Sequence, residues 1–112
     1  MILNQGDRVL VIHRRLFEND HSRFFIGTVD DYEGGIARVT GFTFARDIVD
    51  GSFCRKSEPR TKLFSLSSGT LLAYYISSDF VMENAQLETR NQGLWLKDGA
   101  GFEMDVSEWI HK

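Results

Sequence analysis

Two strand-like runs in this chain each carry a glycine near their centre. The segment RFFIGTVDDYEGGIARVTGFTF, residues 23–44, places Gly27 in the first run and Gly41 in the second, with Gly34 and Gly35 between them. Glycine weakens a strand, so one inside a strand marks a bulge or a sharp bend. The Gly-Gly pair suits a tight turn, where left-handed dihedrals are needed. This pattern points to antiparallel strands that bend strongly, as the walls of a small barrel must.

The rest of the chain reads the same way. Val, Ile, Thr and the aromatics make up 34 of 112 residues, against five Ala, a profile suited to pleated surfaces. RVLVIH, 8–13, is the expected first strand, and its unbroken Val9–Ile12 run predicts burial on both faces. The second strand is expected over 24–30 and the third over 36–45, with Phe42 and Phe44 on one face and Val39 and Thr43 on the other. Residues 46–60 form a polar segment that is long for a connection, so it is either a functional loop or part of a bent strand. TKLFSL, 61–66, is the fourth strand, SSG a hairpin turn, and TLLAYYIS, 70–77, the fifth. Tyr74 and Tyr75 point to opposite faces, which brings at least one near the surface.

SDFVMENA, 78–85, is expected to form one helical turn capped by Ser78 or Asp79. QLETR, GLWLK and FEMDV read as a terminal meander with turns at NQG and DGAG. SEWIHK closes the chain with a helical turn anchored by Trp109. The expectation is one all-β domain over 1–112: a small, strongly bent antiparallel barrel over 8–77 and a C-terminal β extension over 78–112.

Composition narrows the setting. The formal net charge is −3, which argues against non-specific binding to nucleic acid or an anionic membrane. A lone Cys54 cannot form an internal disulfide, no CxxC pair offers a zinc site, and MILNQGDRVLVIHRR lacks the order of a signal peptide. A cytoplasmic location is expected, with no cofactor and no membrane association.

The charge is unevenly spread. Residues 1–62 hold ten Lys and Arg against nine Asp and Glu, and residues 63–112 hold three against seven. In an antiparallel meander, residues 13–23 and 46–62 lie at one end and the turns DYEGG and SSG at the other. The first end then gathers Arg14, Arg15, Arg23, Arg46, Arg55, Lys56, Arg60 and Lys62 against five acids. The opposite end gathers Asp30, Asp31 and Glu33. The eight cations are the candidate surface for an anionic partner, since Arg in particular pairs bidentately with phosphate or carboxylate. The competing reading is a solvated surface whose cations pair with their own acids.

The segments RFFIGTVDDYEGGIARVTGFTF and KLFSLSSGTLLAYYIS resemble the central strands of SH3-like barrels, and of the Sm-like family among them, over residues 8–77. The chain as a whole also resembles small bacterial proteins, a likeness that brings no activity with it. The Sm-like resemblance implies ring assembly through strand edges and RNA binding at two turns, here Asp30–Gly35 and Ser67–Gly69. The first turn is acidic where the family carries Asn, and the second reads Ser-Ser-Gly where the family carries Arg-Gly.

Other chemistry has thinner support. Cys54 lies beside Arg55 and Lys56, which favour a thiolate, and His13 or His21 at the same end offers a base. There is no nucleophile elbow or oxyanion-hole motif. His13, Asp20 and His21 do not match a zinc spacing. Gly34-Gly35 is not a phosphate loop, and DGAG lacks the oxygen ligands of a calcium loop. No catalytic or metal residue is assigned. The leading expectation is a non-enzymatic binding or adaptor module, with homo-oligomer formation open. The alternatives are an Sm-like RNA-binding protein and a small enzyme using the 13–23/46–62 end.

Overall fold

The computed structural model describes residues 2–13, 23–46, 49, 52–90 and 93–107. Among these residues nine strands run in chain order: β1 Arg8–His13, β2 Arg23–Glu33, β3 Ile36–Arg46, β4 Phe53–Arg55, β5 Arg60–Ser65, β6 Leu71–Ile76, β7 Gln86–Arg90, β8 Gly93–Lys97 and β9 Glu103–Asp105. All pairings are antiparallel. Six strands build a bent sheet in the order β4-β3-β2-β1-β6, with β5 also on the outer side of β3, and the last three form a second sheet. The fold is all-β and barrel-like, as expected, but the first sheet is not closed.

The bend is built where the glycines predict it. Gly27 and Gly41 are register partners on β2 and β3. A Cβ on Gly41 would lie 2.0 Å from the Ile26 carbonyl oxygen, and one on Gly27 would lie 2.4 Å from that of Thr40. No side chain fits between backbones that close. A register shift between Val29 and Asp31 adds a second irregularity two residues on, increasing the local twist. At the tip, Gly34 and Gly35 take φ of 57° and 82°, the left-handed values the turn requires.

β1 is buried on both faces, as its apolar run predicts. Val9 and Val11 face an inner cluster with Phe25, Val29, Ala37 and Val39. Leu10 and Ile12 face an outer cluster with Phe24, Ile26, Phe44 and Ile76. Phe80, Leu87, Leu94, Leu96 and Val106, all beyond β6, complete that outer cluster. The C-terminal extension therefore covers the convex face of the bent sheet. Each large side chain fully buried there contributes about 1.5–3 kcal/mol, so the extension is part of the core rather than an appendage.

Three details differ from the sequence reading. Residues 46–60 contain a short strand, β4, that pairs with the end of β3 through Phe44–Arg55 and Arg46–Phe53. The SSG turn links strands that do not pair with each other: β5 lies on β3 and β6 on β1. It is a crossing between the two sides of the sheet and not a hairpin. The helical turn is a 3-10 turn at Met82–Asn84, with Val81 before it and no side-chain cap from Ser78 or Asp79. Trp109 lies outside the described residues.

The connection between β8 and β9 is organised by Asp98, which is 2% exposed. Its Oδ1 accepts the amides of Ala100 and Phe102, at 2.8 and 3.1 Å, and its Oδ2 accepts that of Val81, at 3.1 Å. Gly99 and Gly101, with φ of 70° and 109°, let the loop fold around the carboxylate. Burial alone pushes the Asp98 carboxyl up. The backbone donors of Val81, Ala100 and Phe102, with the amide of Asp98 itself, outweigh that and hold it below the usual carboxylate range. One buried side chain thus ties the β8–β9 loop to the segment before the 3-10 turn.

Candidate functional site

Strand alternation sorts the basic residues. Phe42, Phe44 and Arg46 share the convex side of β3, and Gly41, Thr43 and Ala45 share the concave side. Arg55 stands opposite Phe44, so it follows the convex side. Its guanidinium lies over the Phe42 ring, 4.8 Å from the centroid, and donates to the Glu83 carbonyl oxygen at 2.8 Å. Arg55 is a clasp between β4 and the 3-10 turn.

The next residue takes the other side. The Lys56 amide donates to the Thr43 carbonyl oxygen at 2.9 Å, which sets Lys56 opposite Thr43. Beyond the turn at 57–59, Arg60 stands opposite Gly41 and Lys62 opposite Val39. All three follow the concave side. Arg23, at the start of β2, shares its parity with Phe25 of the inner cluster.

These four cations line one open groove of about 720 Å³, together with Thr43, Ser57 and Glu58. Lys62 reaches furthest. Its backbone faces Val39, yet its ammonium lies 4.9 Å from the Phe25 ring centroid and donates to Thr43 Oγ1 at 3.1 Å. Burial pushes the Lys62 ammonium pKa down, and the charges of Arg23, Lys56 and Arg60 push it further. Among the described residues Glu58 is the only acid lining the groove; it pairs with Arg60 at 3.0 Å, and both side chains are largely exposed. An exposed pair of this kind contributes only about 0–1 kcal/mol, so Arg60 is easily recruited by another anion.

Of the eight cations expected at this end, Arg23, Lys56, Arg60 and Lys62 are brought together. Arg55 is turned to the convex face. Arg46 is exposed at the end of β3, on the same parity as Phe42 and Phe44. Arg14 and Arg15 lie outside the described residues, as does His21. Thr43 and Phe25 were not expected in the site. Their signal was present in the alternation of β3 and β2, but became readable only with the register of Lys56.

Cys54 and His13 are not among the residues that line the groove, although each shares the parity of a lining cation. Cys54 is exposed on β4, opposite Ala45. His13 is exposed at the end of β1, opposite Arg23. Among the described residues, no group of three His, Cys, Asp or Glu is arranged to hold a metal. A smaller, mainly apolar cleft of about 150 Å³ lies between the convex sheet face and the 3-10 turn, lined by Ile26, Phe42, Phe44 and Met82 with Arg55 and Glu83. Tyr75 is 62% exposed on β6, and Tyr74 packs against the outer cluster.

On the outer face of the second sheet, Arg90 joins Glu103 at 2.8 Å and Glu88 at 3.1 Å, and Lys97 also reaches Glu88. Arg90 covers Trp95, 5.3 Å from its centroid. These charges satisfy one another, whereas among the described residues Arg60 is the groove cation that an acid pairs with.

No helix of the described residues is long and apolar enough to cross a membrane. No family model matches the chain, and comparison with curated proteins and with solved structures gives no match.

Proposed function

We propose that this chain is a non-enzymatic binding module whose concave groove receives an anionic partner. The observation that carries this reading is the gathering of Arg23, Lys56, Arg60 and Lys62 around Thr43, against Glu58 alone among the described residues, in a chain of net charge −3. Like charges held together disfavour one another, so the cluster costs stability unless something negative occupies it. The groove is open, with four cations around the Thr43 hydroxyl, which supports a binding role. The RNA reading drawn from the Sm-like resemblance has less support, because its two turns lie at the far end of β2, β3 and β5 from Thr43. A reducing, cytoplasmic setting fits the exposed thiol of Cys54.

The test is binding to fluorescent polyglutamate, polyphosphate and single-stranded RNA at low and physiological salt. The wild-type chain is expected to bind at least one of them, more weakly as salt rises. The double variant Lys56→Glu/Arg60→Glu is expected to lose that binding. Equal binding by the variant, or no binding by the wild type, overturns the reading.

A second reading is self-association through strand edges. It is supported by β5 and β6, each of which has one neighbouring strand and one unpaired side among the described residues. Sedimentation at increasing concentration tests it; a monomer throughout overturns it.

A further inference from the structure

We infer that the concave groove is a site for a compact anion carrying adjacent phosphoryl groups, held at Thr43 by Arg23, Lys56, Arg60 and Lys62. This rests on the binding reading above and narrows it to one ligand chemistry.

Three observations carry the choice. First, the positive charge is focused rather than strung out. Lys56, Arg60 and Lys62 face Thr43, Gly41 and Val39 in turn along β3, but the Lys62 ammonium folds back to Thr43 Oγ1. Same-face side chains of an extended acidic peptide recur about 6.7 Å apart, so such a peptide is matched by a row of cations and poorly by a cluster. A diphosphate places several negative oxygens within one such spacing.

Second, the donors come from different directions. Arg23 enters from β2, Lys56 and Ser57 from the turn after β4, and Arg60 and Lys62 from β5. A carboxylate accepts hydrogen bonds near its own plane, whereas tetrahedral phosphoryl oxygens accept over a wide range of directions. Two arginine forks and two compact ammonium groups supply both bidentate and point contacts.

Third, the groove offers no platform for a base. Among the described residues none that lines it is aromatic; of the rings nearby, Phe25 is 3% exposed and covered by Lys62, and Phe64 is half-buried against Phe25. Single-stranded nucleic acid binding relies on exposed aromatic stacking surfaces. The recognised group is therefore the phosphate portion of a ligand.

Glu58 then acts as a resident competitor. Its carboxylate occupies the Arg60 guanidinium at 3.0 Å and must yield when the ligand arrives.

Calorimetric titration with inorganic pyrophosphate tests the inference, with citrate as a carboxylate ligand of similar charge. The wild type is expected to bind pyrophosphate more tightly than citrate. Lys62→Met, which keeps an apolar side chain over Phe25, is expected to bind about tenfold more weakly or worse, as loss of a charged hydrogen bond implies. Arg23→Gln, at an exposed strand end, carries the same expectation should Lys62→Met fold poorly by circular dichroism. Glu58→Gln is expected to bind several-fold more tightly. Citrate binding as tight as pyrophosphate, or unchanged affinity in both cation variants, overturns the phosphoryl site. If polyglutamate binds and pyrophosphate does not, the phosphoryl inference falls while the anion-binding reading stands; if no polyanion binds, both fall.

Discussion

Gly27 and Gly41 stand directly opposite each other across β2 and β3, and neither position has room for a Cβ. Neither glycine has a left-handed φ, so the constraint is space and not backbone conformation. Replacing Gly41 by Ala drives a methyl group into the Ile26 carbonyl, and the backbone must move. We expect Gly41→Ala to lower unfolding free energy by about 3 kcal/mol or more, the upper range for overpacking. Gly27→Ala is expected to be somewhat milder, because its closest backbone contact is longer. Gly69→Ala, where nothing lies within 4 Å of the added atom, is the control and should change little. Urea denaturation of the three variants checks the order.

Lys62 is predicted to weaken the unliganded protein. Its folded-state pKa lies below that of an unfolded lysine, with burial the first cause and Arg23, Lys56 and Arg60 the others. The protonated ammonium therefore disfavours the fold at every pH below that depressed value. The penalty disappears as pH rises through the folded and then the unfolded pKa. Lys62→Met should raise the melting temperature at neutral pH, and the gain should shrink with added salt. A melting temperature that falls would mean that the Thr43 and Phe25 contacts outweigh the repulsion.

The same shift predicts proton uptake when an anion binds. A negative ligand raises the Lys62 pKa back toward its ordinary value, so binding should weaken as pH rises through the depressed pKa. Calorimetry in two buffers of different ionisation enthalpy measures the protons taken up. The expected uptake is positive on the alkaline side and absent in Lys62→Met.

Arg55 and Lys56 should separate cleanly, although adjacent. Arg55→Ala removes the stack on Phe42 and the hydrogen bond to Glu83, which should cost about 1 kcal/mol. It should leave anion affinity nearly unchanged. Lys56→Ala should do the reverse. Paired denaturation and binding measurements on both variants test this division of the two faces.

Asp98 sets an acid limit on stability. Its folded pKa is depressed, with the backbone donors outweighing the upward push of burial. Its contribution is present above the unfolded carboxyl pKa and is lost as pH falls through the folded one. Asp98→Asn turns an acceptor at Val81 or Ala100 into a donor facing a donor. The variant should melt lower at neutral pH, and the gap to wild type should narrow in acid.

The alternation of residues made much of this legible in the sequence. The Val9–Ile12 run foretold a strand covered twice, and Gly27 and Gly41 foretold the bend. QLETR, GLWLK and FEMDV gave the three strands of the second sheet. What stayed hidden depended on register. Arg55 and Lys56 look alike in a list of cations, and only the pairing of β4 with β3 sends one to each face. β4 itself has three residues and no apolar pattern to announce it. Asp98 was passed over because DGAG reads as an ordinary turn. An Asp before a Gly-x-Gly run can accept amides two and four residues on, and that was the available clue.

β1 has a strand on each side, β2 and β6, and an apolar cluster on each face. No water reaches its middle without the parting of both sheets. The amides of Leu10 and Val11 should therefore exchange with deuterium only when the whole molecule opens. Their exchange rates would report global stability directly, and an anion seated in the distant groove should slow them, because a ligand that binds only the folded state raises that stability.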